Sequence, residues 1–292
     1  MSEKQRVFRF APSPNGELHL GHAYCALLNK KLARACEGKL LLRIENIDTA
    51  RCTPELEHQM LKDLEWIGFE WDEPPRRQSD HFEDYRDALE ILKQKNLVYP
   101  SLLSRKEIRD MIAGAQSAGT NWPRDPDGVP LYPGKERTLS ATRKETIITG
   151  EQPYSFRLDM AKALSQYDQK LAWFENDQGW ITANPRSWGD VILARKDTPA
   201  SYHLCCVIDD HLQGVTDVVR GKDIHAATSI HVLLQDIFGF SQPSYLHHDL
   251  IVDDRGEKLS KSERPAGLRA LRESGMSAQD LQAHLFREPV SE

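Results

Sequence analysis

The segment Lys39–Asn46 reads KLLLRIEN, a nearly unbroken apolar run far too short to cross a membrane. A strand with one wet face alternates apolar and polar residues. A strand covered on both faces does not, so this run predicts a buried strand of a parallel sheet. Its neighbours agree. Arg6–Phe10 alternates as a first strand, and Leu20, Ala23, Tyr24, Leu27, Leu28, Leu32 and Ala35 then recur at helical spacing, with Gly38 expected to close the helix. Strand, helix and strand in that order form a crossover unit, the seed of an α/β sheet with helices packed on it.

Further elements follow from local signals. Thr53-Pro54-Glu55 supplies a cap, a proline at the first helical position and an acid in the first turn, and Gly68 is expected to stop that helix. Another helix is expected from Asp80 to Lys95, and Ser104 with Glu107 forms a capping-box pattern for the next. Asn121–Gly134 holds four prolines and two glycines and reads as a loop. Glu151–Trp188 reads as strand and turn. The expected organisation is a catalytic domain from residues 1–96 and 188–249, an inserted subdomain at 97–187, and a short loop with helices at 250–292. The main sheet is expected to resume with strands at Asp190–Leu193 and Leu204–Asp209, before a helix from Gly221-Lys222-Asp223 to Phe238.

Composition excludes several classes. Apolar residues make up 39% of 292, which rules out a mostly disordered chain. No stretch of 18 apolar residues exists to cross a membrane, and the first residues lack the apolar core of a signal peptide, so a cytoplasmic protein without a membrane partner is expected. The net charge of −6 argues against a broadly basic nucleic-acid binder, although a local basic face is sufficient for one. Lys93, Lys95, Arg105, Lys106 and Arg109 form a basic stretch that charge alone reads as a solvated helix surface. Five cysteines without a C-x-x-C suggest buried free thiols rather than disulfides or a cysteine zinc site.

Two strings carry chemistry. The first runs from Arg9 to His22, RFAPSPNGELHLGH, between the first strand and the first helix. Ligands of open α/β sheets bind outside the carboxyl ends of the strands, so this is a suitable place for a site. His19 and His22 share one helix face, and with the helix N-terminus they offer donors to a phosphate; Gly21 would let a nucleotide approach the backbone. H-x-G-H taken alone reads equally as a pair of surface or capping histidines. The second string is Lys258-Leu259-Ser260-Lys261-Ser262, whose two lysines suit a triphosphate, though by itself K-x-S-K reads as a solvated loop.

Together these strings resemble the HIGH and KMSKS signatures of class I aminoacyl-tRNA synthetases, in the expected order, and R-F-A-P-S-P-x-G-x-L-H-x-G is similar to the glutamyl branch. The resemblance implies a Rossmann-like parallel sheet and ATP as a substrate, accompanied by Mg²⁺. It implies an ATP site of His19, Gly21, His22, Lys258, Ser260 and Lys261, with His19, His22 and Lys261 acting on the phosphates. It also implies a glutamate site. Arg9, Phe10, Ala11, Pro12 and Ser13 would line it, with Arg9 on a substrate carboxylate. Glu45, in Arg43-Ile44-Glu45-Asn46-Ile47-Asp48, would bind the ammonium. Tyr202 would line the same pocket and Arg220 would meet the side-chain carboxylate. Two arginines, one acid and a tyrosine hydroxyl match the charges of L-glutamate, and an arginine fork suits a carboxylate bidentately.

Three departures stand out. Many members carry a C-x-C with a later tyrosine and cysteine that bind zinc; Ser101 and Leu103 stand at the first pair and Glu136 near the last, so zinc is expected to be absent. Cys206 stands where full-length glutamyl synthetases tend to have asparagine, and the second string ends Lys261-Ser262 rather than Lys-Arg. The chain ends about 30 residues after Ser262, a span too short for an anticodon-binding domain. The resemblance therefore points to a shortened paralogue, a monomer that activates glutamate without tRNA and transfers it to the queuosine base of tRNA(Asp). The alternative is a truncated or discriminating glutamyl-tRNA synthetase that charges the tRNA 3′ end.

Overall fold

The computed structural model describes residues 5–167, 170–251 and 267–286. Strands β1 (Val7–Phe10) and β2 (Lys39–Ile44) flank helix α1 (Leu20–Ala35) and pair in parallel, Arg9 opposite Leu41. Helix α2 (Pro54–Trp66) begins at Thr53, whose side chain accepts from the Leu56 amide, and ends before Gly68 at φ 76°. The short β3 (Arg76–Arg77) and helix α3 (Phe82–Gln94) follow. The turn after α1 differs from expectation. Glu37, at φ 52°, takes the left-handed conformation, while a Cβ on Gly38 would lie 2.9 Å from the Arg6 carbonyl oxygen. Gly38 is thus needed for strand approach rather than for the turn.

Next come β4 (Val98–Ser101), α4 (Arg105–Ser117), α5 (Ala141–Thr149), β5 (Ser155–Leu158) and α6 (Met160–Gln166). Helix α4 opens with both reciprocal bonds of the capping box between Ser104 and Glu107. The hairpin β6 (Ala172–Glu175) and β7 (Gly179–Thr182) precedes β8 (Ile192–Arg195), and α7 (Tyr202–Leu212), β9 (Asp217–Gly221), α8 (Thr228–Phe238) and β10 (Ser244–His248) complete the sheet region. Helices α9 (Leu268–Glu273) and α10 (Ala278–Leu285) come last.

Seven strands form the main sheet in the order β3-β2-β1-β9-β10-β6-β7, parallel except at the β6–β7 hairpin. A second, antiparallel sheet has the order β4-β5-β8. Two expectations are corrected here. The strand at Asp190–Leu193 is displaced to β8 and belongs to the small sheet. Leu204–Asp209 is no strand but the buried middle of α7, capped by Ser201. A short unbroken apolar run fits a buried helix as well as a buried strand, and length alone did not separate them. The stretch 97–187 also does not map onto one sheet, since β6 and β7 within it join the main sheet.

Apolar cores fill both faces of the main sheet. One gathers Phe8, Phe10, Leu40, Leu42, Met60 and Leu64 with Leu268 and Leu281 of the last helices. The other gathers Tyr85, Leu92, Leu204, Ile208, Ile230 and Leu234 from α3, α7 and α8. Burial on both sides explains why β2 reads as continuously apolar. The basic stretch from Lys93 to Arg109 spans the end of α3, β4 and the start of α4 rather than one helix face. Of the five thiols, Cys205 and Cys206 are buried as expected, and Cys36 is exposed.

Candidate active site

The carboxyl ends of β1, β2 and β9 open into a cleft of about 430 Å³. Its walls include every residue of Arg9–Ser13 together with His19, Gly21, His22, Glu45, Tyr202 and Arg220. The structure therefore brings together all the expected site residues except Lys258, Ser260 and Lys261, which lie outside the described residues.

The two histidines are capping residues and donors at once. His19 Nδ1 accepts from the Gly21 amide at 3.1 Å, and His22 Nδ1 accepts from the His19 amide at 3.2 Å. A nitrogen that accepts carries no proton, so in both rings the proton sits on Nε2. The rings lie 3.9 Å apart between centroids. Burial, and then the neighbouring His19, push His22 down to about 3; burial lowers His19 against the opposing charge of Asp223. Both imidazoles are consequently neutral Nε2–H donors at physiological pH. The helix end itself offers less than expected, because two of its amides are consumed by these caps. Gly21 also has a nearer task than admitting a nucleotide: a Cβ there would stand 3.0 Å from Cε1 of His19.

The opposite wall is charged. Arg9 holds Asp210 by Nε at 3.0 Å and Nη2 at 3.4 Å, which leaves its Nη1 hydrogens uncommitted among the described residues. Arg43, fully buried, donates to Asp210 at 2.6 Å and to Glu45 Oε1 at 3.2 Å. Burial pushes Asp210 up, but Arg9 and Arg43 win and hold it at about 2. Burial likewise pushes Glu45 up against the pull of Arg43 and Arg9. Its second oxygen has no partner among the described residues, so a ligand ammonium would complete it. Asp210 is a site residue that sequence reasoning misses: it lies just beyond the run Leu204–Asp209, and no spacing signal marks an acid that only braces two arginines.

Arg220 is 5% exposed and densely bound. It donates from Nε to His247 Nε2 at 3.0 Å, from Nη1 to the Tyr202 hydroxyl and to His231 Nδ1, each at 3.2 Å, and from Nη2 to Thr228 Oγ1 at 2.8 Å. Four of its five N–H groups are thus committed. The free two-pronged fork expected from sequence is not available. What remains is one Nη2–H and the Tyr202 proton, free because that hydroxyl accepts from Arg220.

The place of the family's zinc has a different chemistry. Ser101 Oγ accepts from Arg157 Nε at 3.2 Å, Tyr132 donates to Glu136 at 2.8 Å, and Glu136 accepts from the Leu102 amide at 3.2 Å. The Arg157 guanidinium lies 3.7 Å above the Tyr132 ring. With no thiolate or imidazole and a cation already present, these residues do not fit zinc. Elsewhere among the described residues, Glu175, His225 and His247 bring ligand-type atoms within 4.8 Å. Glu175 and His247 are already hydrogen-bonded to each other and His247 to Arg220, so this group is a hydrogen-bonded brace.

Comparison with known proteins gives the fold its family. Residues 6–288 match the family described as tRNA synthetases class I (E and Q), catalytic domain. The chain belongs to this family. Membership makes it a ligase-type enzyme that uses ATP, generally with Mg²⁺. Among class I synthetase relatives, a glutamyl-Q tRNA(Asp) synthetase of Rhodobacter capsulatus is 43% identical over 94% of this chain and 98% of the relative. A glutamate–tRNA ligase of Chlamydophila psittaci is 33% identical over 94% of this chain but only 53% of its own length, so the chain spans about half of that ligase. The crystal structure of a glutamate tRNA ligase from Elizabethkingia meningosepticum in complex with its amino acid superposes with a TM-score of 0.74 at 26% identity, over 89% of this chain and 53% of that one.

Proposed function

We propose that this class I synthetase activates L-glutamate with ATP, without tRNA, and then transfers the glutamyl group to the queuosine base in the anticodon loop of tRNA(Asp). The observation that carries the reading is the single cleft in which neutral Nε2–H donors face a wall of Arg9, Glu45, Tyr202 and Arg220. The similarity to two glutamyl-Q tRNA(Asp) synthetases, over 98% and 84% of their length, supports the choice of acceptor.

In the first step the glutamate α-carboxylate attacks the α-phosphorus of ATP in line and pyrophosphate leaves. No covalent enzyme nucleophile is required; orientation and stabilisation of phosphate charge carry the step. His19 and His22 donate to phosphate oxygens, and Lys258, Ser260 and Lys261 complete the ATP site. Phosphate charge would be further neutralised by the Mg²⁺ that accompanies ATP. Arg9 meets the α-carboxylate, Glu45 the ammonium, and Arg220 with Tyr202 the side-chain carboxylate. In the second step a hydroxyl of the queuosine ring attacks the adenylate carbonyl and AMP leaves. The protein acts as a monomer, and the small sheet holds without zinc, its cation supplied by Arg157.

Exchange of labelled pyrophosphate into ATP, run with each amino acid and no RNA, tests activation: glutamate alone is expected to support it. Labelled glutamate offered to queuosine-bearing tRNA(Asp) and to tRNA(Glu) tests the acceptor. Glutamate appearing only on tRNA(Glu) would replace this reading with 3′-end charging.

A further inference from the structure

Behind Arg220 lies a buried chain of groups whose proton positions follow from one fact: a guanidinium only donates. His247 Nε2 accepts from Arg220 Nε, so the proton of His247 is on Nδ1. That nitrogen lies 2.7 Å from Glu175 Oε2, and Glu175 Oε1 accepts from the His247 amide, also at 2.7 Å. Trp173 Nε1 adds a third donor to the carboxylate at 3.0 Å. Glu175 is fully buried and His247 only 1% exposed. His247 is not part of the cleft wall; it meets the cleft residue Arg220 directly, and Thr228 Oγ1, which also holds Arg220, lies 3.3 Å from the same His247 nitrogen. The three parts also come from different strands, β6, β9 and β10, whose pairing fixes their spacing.

We propose that His247, oriented by Glu175, is a positioning residue that sets the affinity and selectivity for the glutamate side chain by holding the Arg220 guanidinium in place. The inference rests on Arg220 being the side-chain contact. With four N–H groups anchored, the fifth has one direction, and the Tyr202 hydroxyl has one proton to give. A ligand carboxylate then meets a prearranged pair of donors rather than a swinging side chain. The anchor must offer a lone pair to Arg220 and a proton to Glu175, which a neutral imidazole does and a carboxamide can imitate.

The test compares His247→Leu with His247→Gln. Pyrophosphate exchange gives KM for L-glutamate and for ATP, and calorimetry with L-glutamate alone gives binding without the reaction. Loss of one hydrogen bond to a charged group is expected to raise the glutamate KM and Kd about tenfold or more in His247→Leu, with KM for ATP little changed. His247→Gln is expected to recover most of that loss. Equal behaviour of the two variants, or equal weakening of ATP, would overturn the positioning role. Should His247→Leu fail to fold, His247→Asn replaces it, since its shorter carboxamide can keep the bond to Glu175 without reaching Arg220 Nε; a loss of glutamate affinity of about tenfold in His247→Asn and not in His247→Gln supports the anchor, and wild-type-like affinity in His247→Asn overturns it. Absence of any response to glutamate in the unaltered protein, by exchange and by calorimetry, would instead overturn the proposed function and this inference with it.

Discussion

At the scale of single residues, the cleft is governed by which atoms already have partners. His22 caps the helix through Nδ1, so its only free function is the Nε2 proton. His22→Ala removes that donor from the developing phosphate charge, and glutamate-dependent exchange should fall by about a hundredfold or more. Unchanged thermal stability would show that the loss is chemical, and an unchanged exchange rate would remove His22 from the phosphate site. Arg220→Ala should raise the glutamate KM far more than the ATP KM; equal rises would count against a side-chain reader. The sequence made the identities of these residues legible because they sit inside motifs with fixed spacing. It did not make legible the groups that hold them, Asp210, Thr228, His231 and His247. Their roles depend on strands and helices far apart in the chain, and a histidine in the short strand Ser244–His248 carries no pattern of its own.

At the scale of elements, the small sheet depends on Arg157. It ties β5 to Ser101 on β4 and to the Asp190 carbonyl at 2.8 Å, while stacking on Tyr132. Removing one charged partner leaves buried acceptors unpaired at a cost of about 1–3 kcal/mol. Arg157→Leu should therefore lower Tm by several degrees, whereas EDTA should leave the unaltered protein's Tm unchanged. A clear Tm loss with EDTA, reversed by zinc, would contradict a metal-free sheet. Capped or strongly periodic elements are the legible ones: α1 follows its helical spacing, and α2 and α4 follow their start signals. Leu204–Asp209 was not, because a helix buried on nearly every side loses the polar face that reveals its period. The β6–β7 hairpin gives no local sign of which sheet it joins, since its partner β10 lies about 70 residues downstream, farther than local turn signals reach.

At the scale of the whole molecule, the imidazoles that make the site selective also set its response to acid. Burial holds His203 and His247 at about 4, and burial with His19 holds His22 at about 3, all below the 6.5 of an unfolded chain. Above pH 6.5 folded and unfolded forms are both neutral at these sites and stability does not change. As pH falls below 6.5 the unfolded chain takes up protons that the folded one refuses. Each group then removes up to about 1.4 kcal/mol per pH unit until its folded value is reached. The carboxylates act lower down. Glu175 and Asp210, each held at about 2 by their partners against burial, keep their contributions above their unfolded values near 4 and lose them only as pH drops toward 2. Calorimetric melting should thus give a flat Tm from pH 8 to 7 and a steep decline from about 6.5 toward 4, well before Glu175 or Asp210 is protonated. His203→Gln removes one such group and should make the decline shallower by about one proton. A Tm that stays level down to pH 5 and breaks only near 4 would assign the acid response to the carboxylates alone, and the imidazole network would then not be neutral in the native protein.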